Sequence, residues 1–304
     1  MSKNGAFKGF QNVASYSTAN GRWGIKQAYD GLSSGPWPQL TDIEYVVVAG
    51  GGGGGGADNE TEGGGGGGAG GFRFGNIRTF LGGGITVTVG AGGVGQSRTG
   101  TDPIRGTKGS ASVLESVTST GGGGGDIPRS GVGPNIDGGS GGGATFRNTR
   151  AGYGNTPSVT PTQGYDGRRS TVASNNGGGG GGAGGVGAGA IYLPGIGVES
   201  SLSGSAVTYS TGGQGGRGIS STGYVAGAAN TGDGGAGGYA ANEAAGGAQF
   251  FRGGRNGGSG IVIVKYPSSF PALSIGAGLT ADTPIVSGGY RTYVFTAGTG
   301  IISF

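Results

Sequence analysis

Two stretches combine flat aromatic faces with hydrogen-bonding side chains, the pairing that sugars and loop-to-protein contacts call for. The first, residues 148–176, carries Tyr153, Asn155, Tyr165, Asp166, Arg168, Arg169 and Asn176. The second is sparser: Arg217, Tyr224, Asn230, Asp233 and Tyr239. Two roles compete for these aromatics, contact with a receptor or capping of the exposed ends of packed glycine segments. Phe72, Phe74, Phe250 and Phe251 are expected to pack, since each pair sits beside an Arg and a glycine block.

Catalytic chemistry finds little to work with. The chain has no His and no Cys, which removes nucleophilic triads, most zinc sites and all disulfides. Asp58, Glu60 and Glu62 alternate between two glycine runs and offer hard oxygen ligands to Ca²⁺, although a solvated polar loop is the favoured reading. Gly121–Asp126 overlaps a calcium-binding nonapeptide pattern once, where such β-rolls stack several copies. No phosphate-binding G-x-x-x-x-G-K-[ST] occurs, and no G-x-G-x-x-G follows a strand and opens a helix. A glycosidase-like carboxylate pair cannot be picked out from 15 scattered acids. The expectation is a non-enzymatic protein without a cofactor or metal.

The elements that must position these residues are unusual, because 86 of the 304 residues are glycine and only 11 are proline. Glycine in unbroken runs with so little proline excludes collagen, and its density excludes long α-helices. A net charge of +4 without a basic block gives no nucleic-acid footprint. No apolar h-region follows Met1, and nothing approaches the roughly 20 apolar residues of a membrane-spanning helix. The reading is of a protein without membrane insertion that reaches the outside by release within a particle.

Strand signals bracket the glycine. Ile43–Ala49 is a β-branched run leading into Gly50–Gly56, Ile85–Val89 alternates, Ser110–Thr120 is a weaker candidate, and Ile261–Tyr266 is the strongest. Pairing of the first and last of these would close the domain. The predicted fold is mainly β, with polyglycine II-type or irregular glycine segments and essentially no long α-helix. Side-chain-free segments can pack as left-handed helices of three residues per turn that hydrogen-bond only to neighbours. The competing arrangement is long turns on a β-sandwich. Three parts are expected: an anchor over 1–42 that docks through Trp23, Tyr29 and Trp37, a glycine-rich domain over 43–266, and a linker with a C-terminal hairpin over 267–304. That hairpin would pair Tyr290–Thr296 with Ile301–Phe304 across Ala297–Gly300.

The order of motifs resembles the glycine-rich domain of bacteriophage tail-fibre and virion proteins. It runs from Glu44–Ala49 into glycine, through Ala69–Arg73, Thr86–Gly93 and Ser119-Thr120, to Gly257–Tyr266. Gly21-Arg22-Trp23, Tyr29 and Gly35–Pro38 are similar to the lead-in of such domains. Composition alone is similar to polyglycine-helix phage adhesins. The resemblance implies a structural or host-recognition role in a virion. The implied partners are other virion proteins through the N-terminal segment, a host cell-surface glycan or protein, and further copies of the chain, with a trimer usual for fibres. A head-decoration, neck or tail appendage without receptor contact is the alternative.

Overall fold

The computed structural model describes residues 40–304, apart from 58–61, 81–82, 97, 100–101, 129–132, 134, 146–149, 172–174, 218–221, 243–248 and 252. Trp23, Tyr29 and Trp37 lie outside the described residues, as do Asp58 and Glu60. Among the described residues there is no helix, and the protein is all-β.

The strands in chain order are β1 (Leu40–Val48), β2 (Phe72–Phe80), β3 (Gly84–Thr88), the two-residue pair β4 (Arg98–Thr99) and β5 (Asp102–Pro103), β6 (Ser112–Leu114) and β7 (Val117–Ser119). They continue with β8 (Val198–Ser200), β9 (Val207–Tyr209), β10 (Ala240–Asn242), β11 (Gln249–Phe251) and β12 (Ile261–Pro267). Last come β13 (Ser274–Ile275), β14 (Leu279–Ala281), β15 (Ile285–Ser287) and β16 (Tyr290–Ser303). The main sheet has the order β2-β1-β12-β16-β3-β6-β7, with β13, β14 and β15 pairing along β16. Its ends β2 and β7 approach one another, so the sheet is nearly closed and barrel-like. As the β-branched runs imply, β1 and β12 pair, antiparallel, from Glu44↔Lys265 to Val48↔Ile261.

Both faces are covered over Tyr45–Val48 of β1 and Ile261–Val264 of β12, which is why these stretches read as continuous apolar runs rather than alternating ones. Ile43, Tyr45, Val47, Val262, Val264 and Tyr266 face the barrel interior with Ile85, Val87, Leu114 and Phe295. Val46, Val48, Ile261 and Ile263 face outward onto Phe72, Ala183 and Tyr209, beneath the β8–β9 hairpin. The alternation at Ile85 and Val87 marks β3, whose intervening residues are not buried. Phe72 is buried but Phe74 is 60 % exposed, because it lines an open groove between β2 and that hairpin. Of Phe250 and Phe251, only their place on β11 is described.

The C-terminal segment departs from the expected hairpin. Tyr290–Ser303 is one strand, and it sits inside the sheet. Its first half pairs β12, from Val262↔Phe295 to Pro267↔Tyr290, and its second half pairs β3, from Thr299↔Thr88 to Ser303↔Gly84. The turn-like Ala297–Gly300 bends the strand instead of reversing it, with Gly298 in the left-handed region at φ 94°. β16 thus pairs β12 before the bend and β3 after it.

The glycine segments form a laterally hydrogen-bonded array with a period of three. Gly50, Gly53 and Gly56 donate to the carbonyls of Ser110, Thr107 and Ile104; Gly51 and Gly54 to Gly258 and Arg255; Gly52 and Gly55 to Gly68 and Gly65. Three further segments donate back: Gly122 and Gly125 to Gly50 and Gly53, Gly93 and Gln96 to Gly51 and Gly54, Gly235 and Gly238 to Gly52 and Gly55. The run 63–71 repeats the pattern against 175–181, 232–238 and 120–126. Segments that bond to three neighbours and accept from three others, every third residue, have the hydrogen-bonding geometry of polyglycine II. Long turns on a sandwich would not produce it. The side chain has no room: a Cβ on Gly52 would lie 2.1 Å from the Gly123 carbonyl oxygen, and one on Gly54 2.0 Å from that of Ala236.

Barrel strands run directly into this array. β1 continues into 49–56, 63–71 leads into β2, β3 into 89–96, 104–110 into β6, β7 into 120–126, and 253–260 into β12. At the seam the backbone changes from two-fold to three-fold, and buried side chains bridge the mismatch. Ser112 Oγ donates to the Val48 carbonyl at 2.7 Å and accepts the Gly90 N–H at 2.9 Å. Ser119 Oγ donates to the Gly71 carbonyl at 2.5 Å.

Candidate functional site

The arrangement gives the molecule two poles, the barrel at one end and the far ends of the glycine segments at the other. Segments 211–216 and 232–238 both run antiparallel to the descending 63–70, so both climb away from the barrel. They deliver Arg217 and Tyr239 to the far pole. Residues 224–227 and 253–260 descend from it, which places Tyr224 and Arg255 there as well.

These side chains meet. The Tyr224 and Tyr239 rings contact edge to face, 4.8 Å between centroids at 78°. The Arg255 guanidinium lies 4.2 Å over the Tyr224 ring, and that of Arg217 lies 4.6 Å over Tyr192. The Tyr224 hydroxyl donates to the Gly253 carbonyl, tying the ring to the neighbouring segment. Gly215, Gly216, Ala236 and Gly237 line a small recess together with Arg217 and the two tyrosines. Stacking on an aromatic face orients each guanidinium.

A second cluster occupies the flank. Arg150 makes a bidentate pair with Asp137, 2.5 Å and 2.8 Å, and its guanidinium lies 4.2 Å over the exposed Tyr153 ring. Burial disfavours the Asp137 charge, but the Arg150 fork and the Tyr153 amide more than offset this and hold its carboxyl below the ordinary value. Asp166 accepts the Gly154 N–H at 2.7 Å, and a Cβ on Gly154 would touch the Tyr165 backbone, so exposed Tyr165 flanks Tyr153.

The remaining predicted residues also make contacts within the scaffold. Asn155, at φ 47°, folds the 155–163 loop through bonds to both backbone groups of Val159. Arg168 ties down the 187–190 turn, donating to the carbonyls of Gly187 at 2.6 Å and Ala190 at 3.3 Å. Arg169 is exposed and bridges to Ala144 through its backbone, and Asn176 bridges to Arg217 in the same way. Asn230 binds Ser259, and Asp233 accepts the Thr211 N–H, both toward the barrel and away from the tyrosine pair. Burial pushes the Asp233 carboxyl above the ordinary value despite its hydrogen bonds. Glu62 is buried at the start of its glycine run. Sequence reasoning missed Arg255, Tyr192, Arg150 and Asp137. Only their tertiary partners single them out, apart from the three-residue spacing of Arg150 and Tyr153.

An all-β body whose strands extend into a polyglycine II array, with arginine–tyrosine clusters on its surface, defines a glycine-array scaffold. A family model described as a glycine-rich domain matches residues 30–267, and the chain belongs to that family. No curated protein and no solved structure matches it.

Proposed function

We propose that the protein is a non-enzymatic structural component of a bacteriophage virion, a tail fibre or adhesin that displays its far pole to the host surface. The observation that carries this reading is the gathering of Tyr224, Tyr239, Arg255 and Arg217 at the pole opposite the barrel, on backbone held by lateral hydrogen bonds. A preformed site loses little conformational entropy on binding, and several copies on one particle add avidity to weak contacts. The order of glycine and strand motifs supports the virion assignment. In this reading the aromatic N-terminal segment, with Trp23, Tyr29 and Trp37, docks to other virion proteins.

The test uses the purified full chain on the bacterial host. It is expected to bind cells and block infection, and the double variant Tyr224→Ala/Tyr239→Ala is expected to bind at least about tenfold more weakly, a loss of about 1.4 kcal/mol. Failure of the wild-type chain to bind at saturating concentration overturns the attachment role. Localisation on the capsid or tail shaft of the particle, together with that failure, leaves a purely structural role.

A further inference from the structure

A groove at the barrel pole lies outside both clusters. It has a volume of about 340 Å³ and runs between the outer face of the β1–β2 pair and the β8–β9 hairpin. This lies within the ~300–1,000 Å³ of small-ligand sites. The β1–β2 register sets Glu44 opposite Asn76, Val46 opposite Phe74 and Val48 opposite Phe72, so Glu44, Asn76 and Phe74 share one face. Glu199 and Ser200 of β8 line the other wall. Val46 and Phe72 are buried beneath, while Phe74 keeps 60 % of its surface exposed, its ring 6.0 Å from that of Phe72.

We infer that this groove binds a saccharide that carries no acidic group. The lining decides among occupants. Carboxylates accept hydrogen bonds and donate none, so Glu44 and Glu199 suit a ligand rich in hydroxyl donors, with Asn76 and Ser200 supplying both functions. The exposed Phe74 ring offers an apolar face to the C–H side of a sugar. An acidic ligand meets two carboxylates, and the nearby cations are already paired, Lys265 with Glu44 at 3.5 Å and Arg78 with Asp42 at 2.9 Å. An apolar strand or helix from another chain would strip water from Glu44, Asn76 and Glu199 without replacing their hydrogen bonds. The inference does not depend on the far pole, nor on where the protein sits in a particle.

Saturation-transfer NMR on the full chain tests it, with methyl glucoside, methyl galactoside, N-acetylglucosamine, glucuronate and lysine each at about 10 mM, a concentration suited to millimolar affinity. Saturation is expected to reach the ring protons of at least one of the three neutral sugars. It should fall at least about fivefold in both Phe74→Ala and Glu199→Lys, with the thermal midpoint showing that each variant is folded. No transfer to any neutral sugar, transfer unchanged in Phe74→Ala, or equal transfer to glucuronate or lysine overturns the inference. So does a dimer that Phe74→Ala dissociates, which would make a second copy the occupant. Because no cells are involved, failure here leaves the attachment test untouched, and the reverse also holds.

Discussion

Gly67→Ala is expected to unfold the protein or to cost more than about 4 kcal/mol, far above an ordinary surface substitution. A single methyl group there would lie 2.1 Å from the Gly52 carbonyl oxygen and 2.6 Å from its carbon. Neither atom is a flexible side-chain end. Gly52 belongs to a run bonded on every side, donating to Gly68 and accepting from Gly235, so moving it breaks bonds to several segments at once. Gly289→Ala is the control. Nothing lies within 4 Å of its Cβ position, and the substitution carries only the strain of φ +81°, about 1–2 kcal/mol. Denaturant titration of both variants checks the contrast. A Gly67→Ala protein within about 1 kcal/mol of wild type would mean that the array is loose enough to swell.

Removing residues 288–304 is expected to abolish folding altogether. The deletion takes out β16, which holds β12 on one side and β3 on the other, with β13, β14 and β15 paired along it. Tyr293, Phe295 and Ile302 leave the barrel interior, where Tyr293 stacks 6.1 Å from Tyr266 at 8°. Truncating one buried Phe costs about 3–5 kcal/mol, and the whole strand exceeds the 5–15 kcal/mol stability of ordinary domains. Expression and circular dichroism of the truncated chain decide the matter. A soluble, cooperatively melting product would make 267–304 the separate appendage that its sequence suggests.

That contrast shows where the sequence is informative. Ile43–Ala49 and Ile261–Tyr266 reveal their strands because burial on both faces leaves the apolar stretches Tyr45–Ala49 and Ile261–Val264, and their pairing follows from bracketing the glycine. Ala297–Gly300 reads as a turn because short-range signals cannot distinguish a reversal from a bend. Here the partner strand β3, more than 200 residues earlier, decides it. The glycine runs announce close backbone packing through their composition. Which run lies beside which is set by carbonyls and amides identical along every run, so the register carries no mark in the sequence. The same reasoning divides the site residues. Tyr224 and Tyr239 stand out by type and meet at the far pole, whereas Asn155 and Asp233 stand out equally and serve the scaffold. Arg255 sits in a glycine-rich stretch that gives no hint of the ring beneath it.

The central claim is that glycine is the packing surface of a rigid body that holds the recognition side chains in place. Amide hydrogen exchange on the intact protein tests this most directly, read on peptides covering 50–56 and 63–71. Because nearly every amide in these runs donates to a neighbouring segment, protection is expected to match that of β1 and β12 and to be lost only on global unfolding. Exchange in these runs near the rate of an unstructured peptide, while β1 and β12 stay protected, would contradict the account.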